Sequence, residues 1–248
     1  MRKVREPYEP DPGHAGEGRT QAHPSRESEV LVRALILAGG DRPDAALLDR
    51  RWPGWREIDL VIGADGGALH AESLALPLHR IVGDLDSLGA DVARSFEAAG
   101  VIVTRHPAEK DATDTELALL EAVDAGATEI AILGAWGGRS DHALGTLSLL
   151  GHSRCVGVAV ALLDEATRTR LVRAGAHLAL RGAVGRTISL TPWGGDATVT
   201  ATGVRWPLAA ARLVAGTTRG ISNAATEQES LITVHAGTIL VSEGGVDA

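Results

Sequence analysis

Residues 101–135 read VIVTRHPAEKDATDTELALLEAVDAGATEIAILGA. A β-branched apolar run leads into a polar loop, then an amphipathic segment, then a second apolar run. Thr113 and Glu116 stand at capping-box spacing, Leu117, Leu120 and Val123 form an apolar stripe, and Gly126 supplies a stop. The flanking runs are short and almost wholly apolar, as strands buried on both faces are. Two buried strands joined by a helix pair in parallel, because the helix provides the crossover.

The same alternation extends outward from this unit. RALILAG (33–39), IDLVIGA (58–64), HRIVG (79–83) and VGVAVALL (156–163) read as further strands. Segments 43–51, 67–75, 88–99 and 140–151 read as helices beside the one at 113–125. Residues 31–163 are therefore expected to form an open parallel, Rossmann-like α/β domain with helices on both faces. Beyond residue 164 the texture changes to short strands between glycine-bearing turns: TRLVRAG, HLALRG, RTISLTP, ATVTATG, LITVHAG and TILVSEG. Residues 164–248 thus read as a small all-β domain, a β-sandwich or partly closed barrel. PLAAARLVAG (207–216) is the one helical pattern within it. Residues 1–30, rich in Pro, Gly and charge, read as a disordered arm.

Composition narrows the function. The 248 residues carry a net charge of −8 with no Lys/Arg block, which argues against a nucleic-acid partner. No apolar run approaches the ~20 residues of a membrane span, and the N-terminal stretch has no signal-peptide apolar core. Cys155 is the only cysteine, so no disulfide forms within the chain, and a buried, inert thiol is expected. A cytoplasmic setting follows as the expectation. The basic residues are almost all arginine; only Lys3 and Lys110 are lysine.

Ligands of open α/β sheets bind beyond the carboxyl ends of the strands. Those positions hold Gly39-Gly40-Asp41, then Asp65-Gly66-Gly67, then Asp84 with Asp86-Ser87. Lys110, Asp111 and Asp114 follow the fourth strand, and Gly137-Gly138-Arg139-Ser140-Asp141-His142 the fifth. Asp84 and Asp86 are two apart, so an extended chain points both the same way. Each residue has a plain structural reading. Asp86 and Ser87 suit a cap for the helix near Leu88, Asp65 a turn, Asp114 and Asp141 a first helical turn, Ser140 an N-cap and His142 a polar helix position. Asp84 and Asp111 have no such reading, and so many carboxylates on one rim repel. Mg²⁺ is bound by carboxylates together with substrate phosphates. The glycine loop before Arg139 offers bare amides at a helix N-terminus, and arginine matches phosphate oxygens in pairs. The set reads as a nucleotide-phosphate site, although neither GxxxxGK[ST] nor GxGxxG is present.

ADGGA (64–68), GDLDS (83–87), KDATDTELAL (110–119) and GGRSDH (137–142) resemble, in order and spacing, the motif series of the thiamine pyrophosphokinase family. ISLTPWGG (188–195), GVRWPL (203–208) and GISN (220–223) resemble that family's second domain. The resemblance implies a catalytic α/β domain, a thiamine-binding β-sandwich, and transfer of pyrophosphate from ATP to the thiamine hydroxyl with release of AMP. It implies Asp84, Asp86 and Asp111 as Mg²⁺ and catalytic residues, with Asp114, Arg139 and Asp141 also catalytic. Asp65, Gly66, Lys110, Thr113, Arg139, Ser140 and His142 would contact the nucleotide. Ser222, Asn223 and Asp141 would meet thiamine, in a homodimer whose sites are shared across the interface. The family commonly continues Ser-Asn with Glu and an aromatic residue, where this chain has Ala224, Ala225 and Thr226. Trp136, Trp193 and Trp206 are the aromatic candidates for covering the thiamine rings. Two alternatives stay open: a pyrophosphokinase for another hydroxymethyl heterocycle such as a pterin, and a non-catalytic nucleotide-binding regulator.

Overall fold

The computed structural model describes residues 31–182 and 184–244, so the reading of residues 1–30 as a disordered arm lies outside the described residues. Six parallel strands form the first half: β1 (Arg33–Leu37), β2 (Leu60–Ala64), β3 (Arg80–Gly83), β4 (Ile102–Arg105), β5 (Glu129–Leu133) and β6 (Ala159–Leu163). Between them run α1 (Ala45–Arg51), α2 (His70–Ser73), α3 (Ala90–Ala98), α4 (Asp114–Asp124) and α5 (Ser140–Ser148). Alternate strand residues serve opposite layers. Ile36, Ile62 and Ile132 pack under α4, while Leu35, Leu37 and Leu133 pack against Leu48 of α1 and Leu74.

The Thr113 hydroxyl caps α4 by accepting from the Glu116 amide at 3.2 Å. The face that α4 buries is centred on Ala118, Leu119 and Ala122, with Leu117 and Val123 at its flanks, so the stripe is rotated from the expected one. Alanines at the contact let the helix lie close against β1 and β2. The expected helix over 67–75 is instead a 3₁₀ turn, Asp65–Leu69, followed by the single turn of α2. Gly67 passes so close to the end of β1 that a Cβ there would sit 2.1 Å from the Leu37 carbonyl oxygen.

Eight strands follow: β7 (Thr167–Arg173), β8 (His177–Arg181), β9 (Thr187–Pro192), β10 (Ala197–Thr202), β11 (Leu208–Leu213), β12 (Asn223–Ala224), β13 (Glu229–Ala236) and β14 (Thr238–Gly244). β7 turns back antiparallel on β6, so the first sheet runs on without a break in the order β12-β9-β14-β7-β6-β5-β1-β2-β3-β4. A second sheet, β11-β10-β13-β8, shares an apolar core with the antiparallel end of the first, through Val172, Leu190 and Val241 on one side and Val199, Ile232 and Val234 on the other. This is a sandwich of two sheets. The helical reading of PLAAARLVAG fails: residues 208–213 are β11, paired antiparallel with β10 across a bulge. Helix propensity is a weak constraint even in an alanine-rich run, and the β10 ladder together with burial of Leu213 overrides it.

Candidate active site

The strand order reverses at β1, which has β2 on one side and β5 on the other, both parallel to it. Such a switch point opens a crevice at the carboxyl ends of the strands. Here the crevice is a cleft of about 560 Å³, walled by the loops after β1, β2, β3, β4 and β5. Its glycines have a steric reason. A Cβ at Gly40 would lie 2.1 Å from the Trp136 carbonyl oxygen, so the β1 and β5 loops close only with glycine there. His70 braces the same loop, with Nε2 3.2 Å from the Gly40 carbonyl oxygen.

Three carboxylates meet in this cleft. Asp65, Asp84 and Asp114 each place one oxygen within 4.8 Å of the others. Asp65, only 6% exposed, takes a left-handed φ of 45° and accepts from the amides of Ser87 and Leu88, both at 3.2 Å. Burial raises its carboxyl above the usual carboxylate range, partly offset by those amides, and the charge of Asp114 adds to the rise. Asp84 accepts from the Asp86 amide and from Lys110 Nζ, at 3.2 and 3.1 Å, and these two contacts lower its pKa. Lys110 also lies 3.0 Å from Asp114 Oδ1. Burial alone would push its amine down, but the carboxylates of Asp114 and Asp84 outweigh that and raise it. Asp114 Oδ1 is buried, with the Lys110 ion pair as its one polar contact among the described residues. Three carboxylate oxygens this close together, with one lysine among them, are a set that could hold a hard divalent cation.

The other expected residues fall in several places. The chain is not extended through GDLDS: Leu85 takes a left-handed φ of 66°, which turns Asp86 out to an exposed position on the cleft rim. Asp84 and Asp86 therefore do not share one face. Gly66, Thr113, Arg139 and His142 line the cleft, whereas Asp111, exposed, does not. Asp141 is exposed and engages Arg139 through two hydrogen bonds, at 2.6 and 3.2 Å. Ser140 is not the N-cap; Arg139 occupies that position without a side-chain cap, which leaves the first-turn amides of α5 uncapped beside the glycine loop. Asp114 was expected as a catalytic residue and not in the metal set; its i,i+4 spacing to Lys110 was the signal that the two side chains meet. Thr146, buried in the cleft wall, was not among the expected residues; its i,i+4 spacing to His142 was the signal that puts it on the same face of α5.

Ser222 and Asn223 stand apart from this cleft, in the sandwich half. The Asn223 side chain accepts from the Trp206 amide at 3.0 Å and donates to the Trp206 carbonyl at 2.8 Å. It anchors the backbone of Trp206, a residue 56% exposed with the Arg205 guanidinium 5.1 Å from its ring centroid. Trp136 and Trp193 pack against the core instead. Ser222, exposed, holds a left-handed φ of 62°.

Residues 53–161 match the family model of the thiamin pyrophosphokinase catalytic domain, and residues 177–239 that of the thiamin pyrophosphokinase vitamin B1 binding domain. The chain is 32% identical over 168 residues to thiamine pyrophosphokinase of Bacillus subtilis, covering 67% of this chain and 78% of that one. The chain belongs to the thiamin pyrophosphokinase family. Solved family members superpose closely. The crystal structure of the Bacillus subtilis thiamine pyrophosphokinase aligns with a TM-score of 0.73 at 27% identity, covering 87% of this chain and 100% of that one. A thiamin pyrophosphokinase family protein from Enterococcus faecalis gives 0.72 at 29%, with the same coverage. Yeast thiamin pyrophosphokinase shares the fold, with a TM-score of 0.72 at 17% identity, covering 90% of this chain and 88% of that one. All three carboxylates of the cluster lie inside the catalytic-domain match, and Trp206, Ser222 and Asn223 inside the vitamin B1 binding match.

Proposed function

We infer that this chain is a thiamine diphosphokinase, transferring pyrophosphate from ATP to the thiamine hydroxyl to give thiamine diphosphate and AMP. The observation that carries this reading is the Asp65, Asp84 and Asp114 cluster, with Lys110 and an uncapped helix N-terminus, inside the catalytic-domain match. Residues 31–163 would be the catalytic domain and 164–248 the thiamine-binding domain.

The hydroxyl oxygen of thiamine attacks the β-phosphorus, and the bond from that phosphorus to the α,β-bridging oxygen breaks. Positioning and charge stabilisation do most of the work in such transfers. Asp84, Asp65 and Asp114 would hold Mg²⁺, with Asp86 at the rim. The three carboxylate oxygens gathered within 4.8 Å of one another support that fit. A bound Mg²⁺ neutralises charge on the phosphate oxygens. Lys110 orients Asp84 and Asp114 and presents a positive charge to the transferred group. The uncapped amides of α5 and Arg139 receive phosphate oxygens, for which Arg139 exchanges its bond to Asp141. Asp141, so released, stands ready to orient or accept the hydroxyl proton. Asp111, exposed outside the cleft, has a role only if its loop turns inward when nucleotide binds.

Trp206 and Ser222 lie outside the cleft that holds the carboxylates, so a thiamine site that uses both calls for a second copy. We take the active form to be a cytoplasmic homodimer in which the partner's sandwich covers the acceptor. Mixing the protein with ATP, Mg²⁺ and thiamine tests the reading, and AMP with thiamine diphosphate is the expected outcome. AMP formed only with a hydroxymethylpterin would move the assignment to another acceptor. Tight ATP binding without AMP on any acceptor would refute catalysis.

A further inference from the structure

A second cleft, of about 520 Å³, shares no lining residue with the first. Its floor includes Arg33, Glu129 and Ala159, the first residues of β1, β5 and β6, with Ala131 and Ala161 above them. One wall is Trp52–Trp55, which follows α1. The other carries Arg168 and Arg170 of β7, Arg181 of β8 and Arg186 before β9. Three of these guanidiniums converge on one carboxylate. Glu243, with its side chain 1% exposed, receives Arg168 at 3.0 Å and Arg170 at 2.6 Å on one oxygen and Arg186 at 2.5 Å on the other. Among the described residues no other carboxylate lies within ion-pair distance of the three. The Nε of each is buried with no hydrogen-bond partner. Arg168 and Arg186 also lie over the ring of Trp52, at 5.1 and 5.0 Å from its centroid. Burial, with repulsion from Arg168, pushes the Arg170 guanidinium down to about 10, while the arginines outweigh burial and hold Glu243 below its usual range. The carboxylate has more cations than it needs, and the cations have too little counter-charge.

We propose that this cleft is a second ligand site, for a small organic phosphate whose phosphate lies against Arg168, Arg170 and Arg186. Three guanidiniums against one carboxylate leave two positive charges, which match a phosphate monoester of about −2 at neutral pH. Arginine forks are suited to phosphate oxygens. The volume lies in the range of about 300–1,000 Å³ typical of small-molecule sites, so it holds more than a bare phosphate. Trp52, Trp55, Ile58 and the floor alanines supply an apolar wall for the rest of the ligand. Arg33, paired with Glu57 and Glu129, closes the far end.

The probe is phenyl phosphate, titrated calorimetrically into the full chain while Mg²⁺ and a non-hydrolysable ATP analogue fill the first cleft. One saturable site is expected, with a tryptophan fluorescence change that Trp52→Phe reduces and that Trp52→Phe with Trp55→Phe abolishes. Arg168→Gln should weaken binding about tenfold or more, the scale of losing a charge-assisted hydrogen bond. Arg139→Gln, in the other cleft, should leave it unchanged. Arg168 is partly exposed, so this variant is expected to fold; Arg181→Gln, on the exposed rim, gives a second and weaker loss that does not disturb the core. Inorganic phosphate should compete less strongly than phenyl phosphate; equal strength would refute the apolar body of the ligand. Absence of saturable binding, or binding unchanged in both Arg168→Gln and Arg181→Gln, would overturn the site.

Discussion

Asp84 lies 3.1 Å from Lys110 and within the three-carboxylate cluster, whereas Asp86 is exposed on the rim, separated from it by the left-handed turn at Leu85. Asp84→Asn is therefore expected to lower AMP formation about a hundredfold or more, the scale of losing a preorganised electrostatic group. Asp86→Asn should cost distinctly less. Rates at saturating Mg²⁺ decide this: equal losses for the two variants would remove the distinction drawn from the turn. Trp206 offers a contrast at the other end of the molecule. Its backbone is fixed by Asn223, yet the residue is exposed, with Arg205 over its ring. Trp206→Ala should raise the KM for thiamine while leaving the melting temperature and the KM for ATP in place. Asn223→Ala should raise the same KM and also lower the melting temperature, because it strips buried hydrogen bonds. A Trp206→Ala enzyme with an unchanged KM for thiamine would remove that tryptophan from the acceptor site.

At the scale of elements, the first half depends on backbones that approach one another directly at the switch point. A Cβ at Gly67 would meet the Leu37 carbonyl at 2.1 Å, and backbone there cannot swing aside as a side chain could. Gly67→Ala is expected to destabilise by about 1–3 kcal/mol, the usual cost of overpacking, and to lower nucleotide affinity by displacing Asp65. Chemical denaturation beside ATP titration checks both; wild-type stability would show that the loop has room. The elements of this half were readable in the sequence because buried strands and a capped amphipathic helix each carry a local signal. What was not readable depended on partners distant in the chain. PLAAARLVAG has the composition of a helix, and only the β10 ladder makes it a strand. GDLDS looked extended because leucine rarely takes positive φ, so the turn at Leu85 left no mark in the sequence. The rim of acidic residues could be listed strand by strand. Which three of them meet was set by the depth of Asp65 and the first turn of α4, neither of which periodicity encodes.

Across the whole molecule, the ten-stranded sheet joins the two halves: β6 belongs to the parallel ladder and pairs with β7 of the sandwich. Glu243 sits near that junction, on β14, and ties β7 to the entry of β9 through its three arginines. Burial would raise its carboxyl, but Arg168 and Arg170 outweigh burial and hold it below the ordinary value of 4.5. In the acid range the unfolded chain then binds this proton more readily than the folded one. The stabilisation is complete above about pH 4.5 and is lost as pH falls through the depressed folded value. Glu243→Gln should therefore flatten the acid limb of the stability curve. At neutral pH it should also cost about 3–5 kcal/mol, because it leaves buried guanidiniums without their counter-charge. Since the sheet is continuous, that loss should move one cooperative transition, carrying the catalytic half with it. Differential scanning calorimetry, followed in parallel by retention of nucleotide binding, separates the outcomes. A profile split in two, with the nucleotide-binding half melting where it did before, would show that the shared sheet does not couple the halves.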